Sequence, residues 1–480
     1  MFGHRCIDGK AESPMHSDGK REPETRSDAT IPATMYPCLA NGISLHLQPY
    51  GARLIQEGAD PHNPTGYTYY QLNREAARIL SLCNGRNSYG EILRSINKEY
   101  YSNEFDVVHV TGDYIIKSIG DGTLQLHDEP TEAQLSIGGS TDYFSPQHAA
   151  FELTDGCNLK CLHCYRECEP GIGNWLDTPE ALRILSELAG LGVRTIELTG
   201  GEPTIHPRFR EIIEFSLRNF KMVALITNGV LLNNELVQIL AEQSDHVVVQ
   251  IDIDGHTGEV HDYLRGVPGS FQRTLQTARL LTQHGVKYRA AMNIHAKNFD
   301  SIRATARLVH GLGANWFSFA PILEVGRGRR LELVRDDQIR SWEELKREIE
   351  AEFPPGFINL GKELERRNTK KGINCGAGSR SLVIGPTGSA RPCLMMSEDL
   401  ISYGNLCEQS LVEIMKTAPS GYLYDLPAPT REICGDCPMF MLCGGCFTRP
   451  IHAMKEIKEK GLDITCKWNE KFRLTDLVPI

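Results

Sequence analysis

With 480 residues, 41% of them apolar and 23% charged, the chain is long enough for two to four domains and has the balance of a globular protein. Its 51 basic and 61 acidic side chains leave a formal charge of −10 without any basic block, which argues against nucleic acid as a partner. No apolar run reaches the length of a bilayer span and no secretory-type stretch opens the chain, so the fifteen cysteines point to thiolates that bind metal in a reducing, cytoplasmic setting.

In chain order, residues 1–39 are polar and rich in Pro, Gly and Ser, and read as a flexible tail. Residues 40–130 form a small unit. A strand pair is expected over Ile43 to Gln56, a strand over Tyr67 to Leu72, and a helix capped by Asn73 that carries Ala76, Ala77, Ile79 and Leu80. A turn at Asn84-Gly85 leads to a helix opened by Ser88, then to a helix from Val107 to Ile119 and a short strand at Thr123 to Leu126. The run LNREAARILSLCNGRNSYGEIL resembles the winged-helix peptide-recognition element found beside enzymes that modify ribosomally made peptides. That resemblance implies a precursor peptide as partner, its leader segment pairing as an extra strand on the small sheet. An ordinary winged-helix domain used for packing is the alternative.

Residues 131–145 read as a linker. From 146 to 330, strands are expected at Ala149–Leu153, Val193–Leu198, Val223–Thr227, Val247–Asp252, Tyr288–Ile294 and Trp316–Ala320, with helices starting near Pro179, Pro207, Asn233, Ser270 and Asp300. Alternating β and α elements imply a parallel sheet with right-handed crossovers. Six units are too few for a closed eight-fold barrel, so the fold class is α/β, a partial (β/α)6 barrel with its chemistry on loops at the carboxyl ends of the strands. Residues 331–370 read as a helical connector, and 371–480 as a Gly- and Cys-rich domain that depends on metal for its fold.

Directly after the first strand stand Cys157, Cys161 and Cys164, with His163 before the last of them. Three thiolates at this spacing can converge on one cuboidal iron–sulfur cluster and leave its fourth iron open, while a zinc knuckle is the alternative. The second strand ends in Gly200-Gly201-Glu202-Pro203, where two glycines permit close approach to a ligand and Glu202 suits an ammonium group. These segments together resemble the radical S-adenosylmethionine (SAM) superfamily. The resemblance implies a 4Fe-4S cluster on Cys157, Cys161 and Cys164 that binds SAM, with Gly200, Gly201, Glu202 and Pro203 at the SAM amino group. It also implies a cofactor pocket lined by Thr227 and Asn228 after the third strand, Asp252 and Arg265 after the fourth, and Asn293 on the fifth. Arg265 suits the SAM carboxylate, and a structural salt bridge is an equal alternative for it.

Near the C-terminus, Cys375 and Cys393 are followed by Cys434, Cys437, Cys443, Cys446 and Cys466. This pattern resembles the SPASM domain, which carries auxiliary 4Fe-4S clusters, although the last clustered pair here is separated by two residues, Gly444-Gly445, where the family usually has three. The interleaved family pattern implies one auxiliary cluster on Cys375, Cys393 and Cys446 and a second on Cys434, Cys437, Cys443 and Cys466, with Cys407 or an open position completing the first. A zinc ribbon competes for the clustered cysteines alone. Cys6, Cys38, Cys83 and Cys168 have no such partners. The resemblance implies a peptide maturase that cleaves SAM reductively, abstracts hydrogen from a precursor peptide to form a thioether or other cross-link, and draws electrons from ferredoxin or flavodoxin. Tetrapyrrole side-chain tailoring in alternative haem synthesis is the second reading.

Overall fold

The computed structural model describes residues 31–57, 67–100, 106–131, 137–171, 173–322, 325–359, 375–398, 400–437, 440–443, 446, 448–452, 454 and 465–472. The chain divides into two compact units, Met1–Ser145 and Pro146–Ile480. Cys6 lies outside the described residues.

In the first unit, β1 (Tyr36–Leu39), β2 (Ile43–Gln48), β3 (Gly51–Glu57) and β4 (Tyr67–Leu72) precede three helices, α1 (Arg74–Leu82), α2 (Tyr89–Tyr100) and α3 (Val107–Gly120), followed by β5 (Leu124–His127) and β6 (Ile137–Gly139). Strands β2, β3 and β4 form an antiparallel meander in the order β4-β3-β2-β6, which leaves β4 as an outer strand. The meander reverses tightly at Gln48↔Gly51. A Cβ at Gly51 would fall 2.2 Å from the Leu72 carbonyl oxygen, so only glycine fits. Asn73 caps α1 by accepting the Ala76 amide at 2.9 Å, as its residue type foretells. Leu45, Leu80, Ile92 and Ile115 meet in the core between sheet and helices.

Two short strands fall where tail and linker were expected. Strand β1 pairs antiparallel with β5, and β6 pairs parallel with β2. Both are three or four residues long and are held by partners distant in sequence, so no local period announces them. Cys38 and Cys83 are buried thiols of this unit.

The second unit contains the alternating elements in register with the sequence pattern. These are β7 (His148–Glu152), α4 (Thr178–Gly190), β8 (Thr195–Thr199), α5 (Phe209–Asn219), β9 (Met222–Thr227), α6 (Asn234–Ala241), β10 (Val247–Asp252), α7 (Gly258–Arg265), α8 (Ser270–Gln283), β11 (Tyr288–Ile294), α9 (Ile302–Gly311) and β12 (Trp316–Pro321). All six strands are parallel and neighbour one another in chain order. Near-continuous burial along β8, β9 and β10 matches a sheet covered by helices. Helix α7 was not foreseen. Of its eight residues only Val260, Tyr263 and Leu264 are apolar, and Gly266 in the left-handed region at φ 69° closes it, so little of a helical period shows.

The helix α10 (Asp336–Glu352) fills the expected connector, whose residues 360–370 lie outside the described ones. The Cys-rich segment then extends the same sheet. Strand β13 (Ser381–Ile384) pairs parallel with β7, and β14 (Ser389–Arg391) and β15 (Gly404–Asn405) continue antiparallel to complete the order β12-β11-β10-β9-β8-β7-β13-β14-β15. Beyond it come short helices at Leu411–Thr417, Arg431–Cys434, Phe440–Cys443 and Lys467–Phe472. Among the described residues, no helix is long and apolar enough to cross a membrane.

Candidate active site

The cysteine loop leaves the carboxyl end of β7, at the face where parallel sheets collect ligands. Its base is sealed to the glycine segment after β8. The Gly201 amide donates to the Thr154 carbonyl at 2.7 Å and the Glu202 amide to the Gly156 carbonyl at 2.9 Å. Cβ atoms at Gly200 and Gly201 would lie 2.3 Å from the Thr154 oxygen and 1.9 Å from the Gly156 oxygen. The glycines thus admit close approach of the cysteine-loop backbone.

Glu202 is completely buried. One carboxylate oxygen accepts the Thr227 hydroxyl at 2.7 Å and the Thr204 hydroxyl at 2.5 Å, and the other accepts the Asn228 amide at 2.8 Å. Burial nevertheless raises its pKa above the usual carboxylate range, against the lowering effect of these donors. Pro203 is buried and opens a single 3-10 turn. The Asn228 side chain crosses to the cysteine loop, with Nδ2 2.8 Å from Asn158 Oδ1 and 3.8 Å from Cys157 Sγ.

Arg265, at the end of α7, is 4% exposed and reaches Asp254 at 2.6 Å, Asp252 at 3.1 Å and Cys161 Sγ at 3.8 Å. The salt-bridge reading of this residue therefore describes its contacts. Asp254 Oδ1 also accepts the Asn293 amide at 2.8 Å and its Nδ2 at 3.3 Å, so Asn293 stands beside the arginine cluster. Asp262 accepts the Gly269 amide, the Ser270 hydroxyl and the Phe271 amide at 2.6, 2.7 and 2.8 Å, which caps α8 and sets the angle between α7 and α8.

Sequence reasoning did not single out Arg327. Its Nε donates to the Cys161 carbonyl at 2.8 Å and its Nη2 to the Cys168 carbonyl at 2.6 Å, clamping the loop from a turn beyond β12. A lone arginine in Gly326-Arg327-Gly328 carries no local signal of such a role. Cys168 is buried against Cys164, and hydrogen bonding from Cys168 draws the Cys164 thiol below its ordinary value.

Burial pushes Cys157 up to about 12 and Cys161 up to about 11, the latter in spite of Arg265. Desolvation of the half-buried His163 lowers it to about 3. Three thiolates with an amide or guanidinium donor near two of the sulfurs, in a place where burial penalises uncompensated negative charge, fit a cationic iron–sulfur core. The Leu159 amide, 3.4 Å from Cys157 Sγ, is a further such donor.

The C-terminal thiols fall into two neighbourhoods. Burial, then the thiols of Cys375 and Cys446, push Cys393 up to about 12. Burial, then Cys466, Cys437 and Cys434, push Cys443 up to about 12. Cys407 stands apart, exposed, its Sγ 3.6 Å from the Thr387 carbonyl and with Glu180 as its nearest charged influence.

Residues 151–309 match the model of the radical SAM superfamily, and residues 375–438 match that of an iron-sulfur cluster-binding domain, SPASM. The chain is 31% identical to the antilisterial bacteriocin subtilosin biosynthesis protein AlbA of Bacillus subtilis over 93% of this chain and 99% of that one. It is 28% identical to an AdoMet-dependent heme synthase of Methanosarcina barkeri over 66% of this chain and 95% of that one. Among solved structures, SuiB of Streptococcus suis bound to its precursor peptide SuiA shares the fold with a TM-score of 0.60 at 18% identity, over 87% of this chain and 97% of the other.

Proposed function

Since this chain belongs to the radical SAM superfamily and carries that superfamily's SPASM iron–sulfur domain, we propose that it matures a ribosomally made precursor peptide by forming a thioether or other cross-link. The likeness to the subtilosin biosynthesis protein carries this reading, because it runs through 93% of the chain and so includes the N-terminal unit. The heme synthase likeness runs through 66% and supports tetrapyrrole chemistry less well.

The chain's own residues divide the work. Cys157, Cys161 and Cys164 would hold the cluster that takes SAM, and Cys375, Cys393 and Cys446, then Cys434, Cys437, Cys443 and Cys466, the two auxiliary clusters. When bound, the first cluster supplies the electron that cleaves SAM to methionine and a hydrogen-abstracting deoxyadenosyl radical. Asn228 orients the loop at Cys157, and Arg265 places positive charge against Cys161. Glu202 ties the ends of β8 and β9 beneath the loop and presents the backbone of Gly200 and Gly201 beside it. Asp252 keeps a fifth of its side chain exposed next to Arg265, the residue that suits the SAM carboxylate, while Glu202 and the two glycines suit its amino group.

The first unit fits leader capture. Its strand β4 stands at one end of the sheet order, and a peptide strand would bind alongside it through main-chain hydrogen bonds. The setting is cytoplasmic, with ferredoxin or flavodoxin as reductant and neither nucleic acid nor membrane as partner. The test is anaerobic reconstitution with iron and sulfide, followed by dithionite, SAM and, in parallel reactions, the precursor encoded beside the gene or a porphyrin. Deoxyadenosine together with a precursor lighter by hydrogen atoms supports the reading. Intact SAM, or deoxyadenosine with an unmodified precursor and a modified porphyrin, overturns it.

A further inference from the structure

Glu152 and Arg391 are both 0% exposed, and their side chains meet at 2.5 Å. Arg166 reaches the same carboxylate oxygen, Glu152 Oε2, at 3.2 Å. Their positions matter. Glu152 ends the strand that launches the Cys157 loop, Arg166 lies just past Cys164, and Arg391 ends β14 just ahead of Cys393. One carboxylate thus ties the backbone of the first cysteine site to that of an auxiliary one.

Counting Glu398 the charges in this bridge sum to zero, but in its buried part they do not cancel. Two guanidinium groups face one carboxylate, and the remaining carboxylate, Glu398, stands 3.9 Å from Arg391 Nη1 with 40% of its side chain exposed. Arg391 Nε and Nη1 and Glu152 Oε1 are buried without a hydrogen-bond partner. Such an arrangement is a poor way to gain stability, since a buried ion pair rarely outperforms apolar packing of similar volume. Excess positive charge in a buried setting is favoured where negative charge lies close by, and a cluster ligated by three or four thiolates carries it. The loop is fixed as well as charged. Glu167, next to Arg166, has φ 56°, a conformation that ordinary residues hold only where surrounding contacts impose it.

We propose that the Arg166–Glu152–Arg391 triad is a shared electrostatic bridge that sets the reduction potentials of the SAM-binding cluster and of the auxiliary cluster at Cys393 together. Arg391 is then a positioning residue for both sites and touches neither substrate nor SAM. The inference rests on the cluster assignment above and adds to it a coupling between the two sites.

The test is a potentiometric titration of the full-length, reconstituted protein followed by electron paramagnetic resonance, with and without SAM, which identifies the open cluster by the change in its signal. Arg391→Gln removes one positive charge and should shift both midpoint potentials downward, while Arg391→Lys should return both toward the wild-type values. A shift at the auxiliary cluster alone, or at neither, overturns the coupling. Should Arg391→Gln fail to retain iron, Arg166→Gln decides by the same criterion, since its side chain is 19% exposed and its replacement is better tolerated. A wild-type protein with no SAM-responsive signal would sink the cluster assignment itself, a result distinct from normal signals whose potentials fail to move together.

Discussion

Replacing Gly201 by alanine tests whether the segment after β8 acts by gripping the cysteine loop. The new Cβ would sit 1.9 Å from the Gly156 oxygen and 2.6 Å from its carbonyl carbon, where contacts below 3.0 Å are essentially never tolerated, so the two backbones must part by about 1 Å. Parting them stretches the bonds at 2.7 and 2.9 Å that join Gly201 to Thr154 and Glu202 to Gly156. With about 1 kcal/mol net for each and more for any buried group left unpaired, the cost should be about 2–4 kcal/mol. A displacement of about 1 Å beneath Cys157 should also lower SAM cleavage by about 100-fold. Thermal unfolding, iron content and anaerobic deoxyadenosine formation read these effects. Gly190→Ala, at the end of α4 with nothing within 4 Å of the added carbon, is the control and should be neutral or slightly stabilising. A Gly201→Ala protein that melts and turns over like the wild type would refute the reasoning.

Replacing Cys157, Cys161 and Cys164 together by alanine should abolish deoxyadenosine formation while the C-terminal cysteines retain their iron, checked by iron analysis and chromatography. Cys407→Ser should leave iron stoichiometry unchanged, because its exposed thiol sits by the Thr387 carbonyl and Glu180. Asp262→Ala removes three acceptor contacts at the start of α8 and should cost about 1–2 kcal/mol in denaturant unfolding, with Asp262→Asn intermediate. Burial lowers His261 to about 4, so between that value and its ordinary 6.5 the unfolded chain binds more protons than the folded one. The stability due to neutral His261 is therefore whole above pH 6.5 and is lost as pH falls toward 4, by about 3 kcal/mol. A His261→Asn variant should show a flatter dependence of melting temperature on pH across that window.

Strand β10 was legible because a run of valines ends in polar loop residues, strand β11 because its span lies between the turn at Gly285 and the polar His295, and the helix at Ser270 because Gly269 and Ser270 mark its start. The cysteines were legible for a different reason. Metal ligands must recur at spacings the chain can bend around, and those spacings survive in the sequence whatever the fold does between them. Partnerships made across long separations left no such trace. Nothing near Arg265 announces that Asp252 and Asp254 will surround it, and nothing near Gly201 reveals that its neighbour is Gly156. The residue types were informative at both places, but the identity of the contact depends on how two strands and a loop come to rest together.

The parallel pairing of β13 with β7 bears on how the protein is made. Until Ser381–Ile384 has left the ribosome, the strand that bears the Cys157 loop remains a bare edge, and the Glu152–Arg391 contact closes a span of 239 residues. Chains cut short before β13 should therefore do more than lose auxiliary iron. They should expose an apolar rim at β7 open to pairing between copies, and aggregate rather than accumulate as a working barrel.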